Sequence, residues 1–184
     1  GWTKAFAHEY GHVGTWELGD KAKDLPWWVA EGAAELAAED FPPNTRDRVH
    51  SWAVRQNAEG GLVDWSEITD YRTTKRELRG HPYHQGHSFI GYISDTYGRK
   101  GRNAWLAALC AGKTLEEAST GALHVSFAEL DSAWRETLKG ALVGADDHAQ
   151  ERADIERTVS SMERAVLAAD VDGYLANVLK GDSE

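Results

Sequence analysis

Two histidines and a glutamate near the start of the chain have the spacing of a metal-binding helix. They lie in "FAHEYGHV", where His8 and His12 are four residues apart and Glu9 follows His8. On an α-helix, positions i and i+4 lie one turn apart on the same face, so both imidazoles can reach one point in space. Neutral imidazole is a good ligand for Zn²⁺. The other interpretation is a helix that carries two solvated or core histidines.

Glu9 has the position of a general base in this pattern. It is rotated by about 100° from His8 around the helix axis, which places it poorly for binding the same ion. It can instead reach a water molecule held by the metal and accept its proton, as the motif H-E-x-x-H implies. Gly11 keeps the helix surface low beside the site. The motif therefore predicts Zn²⁺ as the cofactor and Glu9 as the activating carboxylate.

A catalytic zinc site also needs a third protein ligand, with the fourth position left open for water. The best candidate is Glu31 in "LPWWVAEGAAEL", because the eighteen residues after His12 allow a turn and an antiparallel return. Gly32 predicts a close approach of this second helix to the first. Glu35 lies one turn further on and can accept a hydrogen bond from the Nδ1–H of a histidine ligand. The alternative is a solvent-facing acid pair, which mutual repulsion disfavours.

The remaining hydrophobic spacing and stop signals predict a chain that is helical nearly throughout. Two capping boxes, Thr114 with Glu117 and Ser126 with Glu129, start helices that end near residues 122 and 138. "LVDWSEI" fits a short strand or a helical turn, "TTKRELRG" is polar and expected to be exposed, and "YGRKGR" is expected to form a corner. The other predicted helices cover about residues 2–16, 26–40, 45–57, 82–97 and 103–112.

Composition limits the classes of partner and of fold. The 184 residues suffice for one domain, or one domain plus an appendage. A net charge of −10 argues against nucleic acid and anionic membrane surfaces as partners. No apolar run approaches the roughly 18 residues that span a bilayer. Cys110 is the only cysteine, so no internal disulfide forms, and its apolar helical surroundings predict a core residue.

The zinc segments resemble those of the gluzincin metallopeptidases. "HEYGH", then eighteen residues, then "EGAAE" has the H-E-x-x-H and downstream glutamate of that clan. "LPWWVAEGAAEL" resembles the "LPxWLxEGxAEY" stretch of the bacterial peptidase MA-like family, and "YHQGHSFIGYISDTYG" resembles its "YxQsxxFvxYLxxxYG" helix. The segment "LAALCAGKTLEEA" and the later "SFAELDSAWRETL" resemble the tail that follows. The likeness covers about residues 1–140.

The resemblance implies a zinc metallopeptidase that acts on peptides or proteins outside the cytoplasm. Carried over residue by residue, it implies that the ligands are His8, His12 and Glu31, that Glu9 is the general base and acid, that Glu35 orients a histidine ligand, and that Tyr83 donates to the oxyanion. Such a donor is needed because water attack on a carbonyl develops charge on its oxygen. For Tyr83 the alternative is a half-buried core tyrosine.

The chain also departs from the family pattern. Leu36 stands where the family has a tyrosine, and Trp27 and Ala30 replace more polar residues. Gluzincins carry a β-sheet before the H-E-x-x-H helix, whose edge strand aligns the substrate, and this chain has no room for one. The expected fold is therefore mainly α: a zincin-like helical subdomain over residues 1–140, with the N-terminal sheet missing. The alternative function is a catalytically idle zinc-binding module with a structural or interaction role. The aminopeptidase element G-x-M-E-N is absent, which leaves endopeptidase and exopeptidase activity open.

Two further segments carry open alternatives. His81, His84 and His87 are three residues apart and could form a second metal site or supply a proton donor to the first. Residues 141–184 are expected to form a C-terminal helical pair, with Ile155, Val159, Met162 and Val166 along one stripe. This pair resembles the opening helices of a truncated SnoaL-like domain. The alternative is a helical hairpin that packs on the catalytic part.

Overall fold

The structure is a computed structural model that describes residues 2–41 and 44–147, with side chains up to residue 140. Within these ranges the chain is mainly helical, as predicted, and it contains no strand. The zincin-like character of the subdomain stays a prediction. The helices are α1 (Trp2–Trp16), α2 (Trp27–Ala37), α3 (Thr45–Glu59), α4 (His81–Cys110), α5 (Leu115–Leu123) and α6 (Phe127–Asp147), and three short 3-10 turns cover Ala22–Asp24, Trp65–Ile68 and Arg76–Leu78.

Helix α2 packs against both α1 and α4, and α4 also contacts α3 and α5. The predicted corner at "YGRKGR" is a kink at one residue, Gly98, whose φ of 71° and ψ of 171° interrupt α4 before the helix resumes. This positive φ suits glycine, which lacks the Cβ that makes the region costly for other residues. Helix α6 continues beyond its predicted end near residue 138 to Asp147, because "KGALVGADD" contains no proline to stop it.

Aromatic side chains form the centre of the core. Trp28 lies 4.2 Å from Trp65 between ring centroids, and Phe89 lies 4.9 Å from Trp65 and 5.5 Å from Trp134. These rings, together with Trp105, are buried. Burial of a side chain such as Phe89 contributes about 1.5–3 kcal/mol of transfer free energy. The cluster therefore fixes α2, α4 and α6 around one hydrophobic centre.

The segment between α3 and α4 is not a strand. Trp65–Ile68 form a 3-10 turn, so the helical alternative for "LVDWSEI" is confirmed and the strand alternative is wrong. The buried side-chain amide of Gln85 donates to the carbonyl of Val63 at 2.9 Å and accepts from its N–H at 3.2 Å. This amide satisfies the backbone groups that a neighbouring strand would otherwise pair.

The prediction that "TTKRELRG" is exposed is wrong at one residue. Thr74 is 3% exposed, and its hydroxyl lies within hydrogen-bond distance of the carbonyls of Asp70 and Glu67, at 2.8 and 3.1 Å. Because the hydroxyl has partners inside the turn, its burial leaves no unpaired donor. A local polar pattern could not show this.

Glycines set the distances between the helices, but not as the sequence predicted. A Cβ added to Gly11 would lie 2.8 Å from Cα of Ala34, so Gly11 allows α1 to approach α2. A Cβ added to Gly32 would overlap the backbone of Gly86 in α4. The prediction that Gly32 allows α2 to approach α1 is therefore wrong, since its close partner is α4.

Both predicted capping boxes are confirmed. The N–H of Glu117 donates to Thr114 Oγ1 at 3.1 Å while the Thr114 N–H donates back to the Glu117 carboxylate at 2.8 Å. Ser126 and Glu129 make the same reciprocal pair, at 3.2 and 2.9 Å. Each box satisfies two N–H groups that a helix start leaves unpaired.

Cys110 is fully buried, as predicted, and burial raises the pKa of its thiol. No helix in residues 2–41 or 44–147 combines the length and apolar character that crossing a membrane requires. The predicted C-terminal helical pair, with its stripe of four apolar residues from Ile155 to Val166, falls outside the described residues, and only residues 141–147 of that segment are seen, in α6.

Candidate metal centre

Helices α1 and α2 bring the three predicted metal ligands together. The Nε2 atoms of His8 and His12 are 3.2 Å apart. Oε2 of Glu31 lies 3.2 Å from the first of these nitrogens and 3.5 Å from the second. The three atoms thus form a nearly equilateral triangle, and we refer to it as the ligand triangle.

The ligand triangle has the size that a zinc ion requires. Zinc bonds of about 2.0–2.1 Å in tetrahedral geometry hold the ligand atoms roughly 3.3–3.4 Å apart. Two imidazole nitrogens and one carboxylate oxygen also form the ligand set of catalytic zinc sites that keep their fourth position open. In the part of the chain that the structure describes, no other His, Cys, Asp or Glu side chains gather in this way.

His12 and Glu31 each shift the pKa of the other toward its charged form. The hydrogen bond to Glu31 raises the pKa of His12 above its ordinary 6.5, against the opposing effect of burial. Burial acts to raise the pKa of Glu31, but the hydrogen bonds from His12 and Trp27, together with the charges of His12 and His8, outweigh it and leave that pKa below its ordinary value. A histidine must be neutral to bind a metal ion, so binding at His12 would release its proton.

Glu35 lies next to Nδ1 of His8, but the hydrogen bond that the sequence predicted between them is not formed. Its Oε1 is 3.1 Å from His8 Nδ1, although the ring N–H is not well aligned for a hydrogen bond. Its Oε2 is 2.8 Å from Nζ of Lys4. The ion pair of Lys4 with Glu35 was not predicted, because no basic residue lies in the sequence of α2 itself. Lys4 precedes His8 by four residues on α1, and that spacing was the available signal.

Glu9 follows His8 on α1 and does not belong to the ligand triangle. Its side chain is exposed, and its negative charge contributes to the raised pKa values of both His12 and Tyr83. Large apolar side chains are exposed around it along the same helix: Trp2, Phe6, Tyr10, Val13 and Trp16. The Glu9 carboxylate therefore reaches solvent.

Tyr83 is half-buried and lies beside the ligand triangle. Its ring stacks on that of His8, with centroids 6.2 Å apart and planes 26° apart, and it meets the ring of Trp27 edge to face at 5.9 Å. Burial raises the pKa of its phenol, and the charges of Glu31 and Glu35 raise it further. The phenol is therefore protonated at neutral pH and able to donate a hydrogen bond.

Trp27 is a residue of the centre that the sequence interpretation missed. Its indole N–H donates to Oε1 of Glu31 at 2.9 Å. Its ring also meets that of Tyr71 edge to face, at 5.2 Å. The signal was present as the i,i+4 spacing of Trp27 and Glu31 in α2, but the sequence interpretation treated Trp27 only as a departure from the family pattern.

The three histidines at the start of α4 do not converge. His81 and His84 lie against the ring of Trp52, at 5.3 and 5.2 Å between centroids. His87 is 2% exposed, and its Nε2 is 3.1 Å from Glu39. Across the described ranges these histidines form no second metal-binding group: His87 is buried, His81 is half-buried and His84 is exposed.

Bound zinc at the triangle would leave one coordination position for a water molecule or a substrate carbonyl, with a carboxylate and a phenol beside it. A metal-bound water together with a carboxylate and a phenol is a combination of groups that can perform hydrolysis. Comparison with protein-family models, with curated proteins and with solved structures finds no match for the chain. The resemblance to gluzincins therefore rests on the quoted motifs, and it stays a prediction.

Proposed function

We propose that this chain is a zinc-dependent hydrolase of peptide bonds, of the gluzincin type. The observation that supports this most strongly is the ligand triangle, because its edges of 3.2, 3.2 and 3.5 Å fit the spacing of zinc ligands. The two histidines come from one helix and the glutamate from another, which is the arrangement implied by H-E-x-x-H and a downstream glutamate. The substrate is a peptide or an unfolded protein.

Glu9 is the proton carrier of the proposed reaction. Zinc, when bound, supplies a Lewis acid that polarises the peptide carbonyl and lowers the pKa of water. The Glu9 carboxylate accepts the proton of the attacking water and then delivers it to the leaving amine nitrogen. Its exposed position beside His12 suits this role, because the carboxylate reaches solvent and substrate without entering the ligand triangle.

Tyr83 stabilises the oxygen on which negative charge develops. Its phenol carries a proton at neutral pH, since burial and the nearby carboxylates raise its pKa. A donor in a partly buried place stabilises an oxyanion more than water does, because it is already oriented. The stacking of Tyr83 on His8 holds the ring beside the triangle.

Glu35 and Lys4 prepare His8 for its role as a ligand. A carboxylate beside Nδ1 favours the tautomer in which Nδ1 carries the proton and Nε2 keeps its lone pair for the metal. Lys4 compensates part of the negative charge that Glu31 and Glu35 place on this face of α2. We therefore assign Glu35 the role of orienting His8.

The variant Glu9→Gln tests this function. It keeps the size of the side chain and removes the base, so it should bind zinc as wild type does. Its hydrolysis of an unfolded protein should fall by about 10²–10⁴-fold, the usual contribution of general acid–base catalysis. Glu17→Gln, which removes another exposed carboxylate just after α1, is the matched control and should keep full activity. Equal rates for Glu9→Gln and wild type would show that the role assigned to Glu9 is wrong.

A second candidate is a zinc-binding module with an interaction role and no turnover. The exposed apolar side chains of α1 favour it, because contiguous exposed apolar surface often marks a binding site. Both candidates require zinc at the ligand triangle. Wild-type protein that binds one zinc ion but shows no hydrolysis above a blank without protein would support the second candidate, whereas equal and measurable rates in wild type and Glu9→Gln would leave an enzyme with another base.

A further inference from the structure

We propose that Trp27 is a positioning residue of the metal centre, which holds one oxygen of Glu31 so that the other is presented to the metal. This inference rests on the zinc site of the proposed function. The family pattern that the chain resembles has no fixed residue at this position, and the sequence alone indicated only a departure there. The observation is the hydrogen bond from the indole N–H of Trp27 to Glu31.

The two oxygens of Glu31 have different partners. Oε1 accepts the indole N–H of Trp27 at 2.9 Å. Oε2 faces the Nε2 atoms of His8 and His12, at 3.2 and 3.5 Å. A carboxylate can bind a metal through one oxygen or through both, and a donor fixed on one oxygen favours binding through the other. Trp27 thus favours binding of a metal through Oε2 alone, the oxygen that belongs to the ligand triangle.

The indole is held in place from several directions. Tyr71 and Tyr83 each meet its ring edge to face, with centroids at 5.2 and 5.9 Å. The backbone N–H of Trp27 donates to the carbonyl of Thr69 at 2.6 Å. An indole nitrogen is a donor only, so it has no alternative tautomer in which it would repel the carboxylate. The direction of the hydrogen bond is therefore set before any metal arrives.

The hydrogen bond from Trp27 does not depend on pH, because an indole N–H does not titrate. It holds Oε1 of Glu31 while Oε2 faces the two histidines.

The test is the zinc affinity of Trp27→Phe, which keeps an aromatic ring and removes the N–H. We expect its zinc Kd, measured by calorimetry with a competing chelator, to rise about 10- to 100-fold, the usual effect of losing a partner of a metal ligand. Trp52→Phe, a ring that packs on His81 and His84, is the matched control and should keep the wild-type Kd. A Kd within twofold of wild type in Trp27→Phe would overturn the proposal.

Two further measurements distinguish a positioning role of Trp27 from a role in packing or folding alone. A role in packing alone would lower the melting temperature of the metal-free protein but leave the zinc affinity of the folded protein unchanged. If Trp27→Phe does not fold, 3-benzothienylalanine at position 27 replaces the N–H by sulfur in a ring of the same shape, and the same rise in Kd is expected. Wild-type protein with no zinc affinity would overturn both this proposal and the zinc site, whereas activity of Glu9→Gln would overturn only the mechanism.

Discussion

Gly32 of α2 and Gly86 of α4 face each other where the two helices cross. A Cβ added to Gly32 would lie 2.9 Å from Cα of Gly86 and closer still to its carbonyl group. This contact allows the helix that carries Glu31 to lie directly on the helix that carries Tyr83. The position of Glu31 relative to Tyr83 therefore depends on this close approach of the two backbones.

Gly32→Ala should destabilise the protein because the added methyl group meets backbone and not a flexible side chain. We expect the free energy of unfolding to fall by about 1–3 kcal/mol, the usual cost of overpacking. Urea denaturation followed by circular dichroism measures it. Gly14→Ala, in α1 with open space around it, is the control and should be neutral or stabilising by up to about 1 kcal/mol. A Gly32→Ala protein as stable as Gly14→Ala would contradict this account of the crossing.

As the pH is lowered, zinc affinity should begin to fall at a higher pH than it would for a ligand histidine with the ordinary pKa of 6.5. His12 must be neutral to bind metal, and its pKa in the metal-free protein is raised above 6.5 by Glu31. Affinity is therefore full above that raised pKa and falls below it, by up to about tenfold per pH unit for one displaced proton. Zinc titrations with a competing chelator across this range measure the effect. A Kd that does not change until the pH is well below 6.5 would contradict the prediction.

His87 should make the protein less stable in mild acid. Burial lowers its pKa below 6.5, against the opposing influence of Glu39. Between that lowered pKa and 6.5 the unfolded chain binds more protons, so the free energy of unfolding falls as the pH falls through this window. His87→Gln should show a smaller fall than wild type in urea denaturation at a series of pH values. Identical pH profiles for the two proteins would rule out this contribution.

Tyr83→Phe should lower kcat and leave zinc binding intact. It removes the phenol that we assign to the oxyanion and keeps the ring that stacks on His8. Loss of one such donor costs about 10²–10³-fold in kcat. Steady-state hydrolysis of an unfolded protein measures it, and Tyr97→Phe, further along α4, is the control. An unchanged kcat in Tyr83→Phe would leave Tyr83 with a packing role only.

Local patterns predicted the helices and the components of the site. The capping boxes at Thr114 and Ser126 need only residues three apart, and the histidine pair on α1 needs only one helical turn. Such features are decided within one element, so a single sequence can show them. The distance from His12 to Glu31 also predicted an antiparallel return that brings the three ligands together.

Contacts between elements could not be predicted in the same way. Gly32 was assigned to the wrong neighbouring helix, because a sequence shows that a glycine allows close approach but not which helix approaches. The ion pair of Lys4 with Glu35 and the burial of Thr74 likewise depend on residues from different parts of the chain. The contact of Trp27 with Glu31 is local and could have been predicted. The sequence interpretation did not consider the indole N–H of Trp27 as a hydrogen-bond donor.

The most direct test is X-ray absorption spectroscopy of the purified protein at the zinc edge, with metal analysis of the same sample. The account predicts about one zinc ion per chain, bound by four nitrogen or oxygen atoms at about 2.0–2.1 Å, two of them from imidazoles. His8→Ala should lose this zinc, and His84→Ala, whose ring lies against Trp52, should keep it. Less than about half an equivalent of zinc in wild type, or equal zinc in wild type and His8→Ala, would contradict the account.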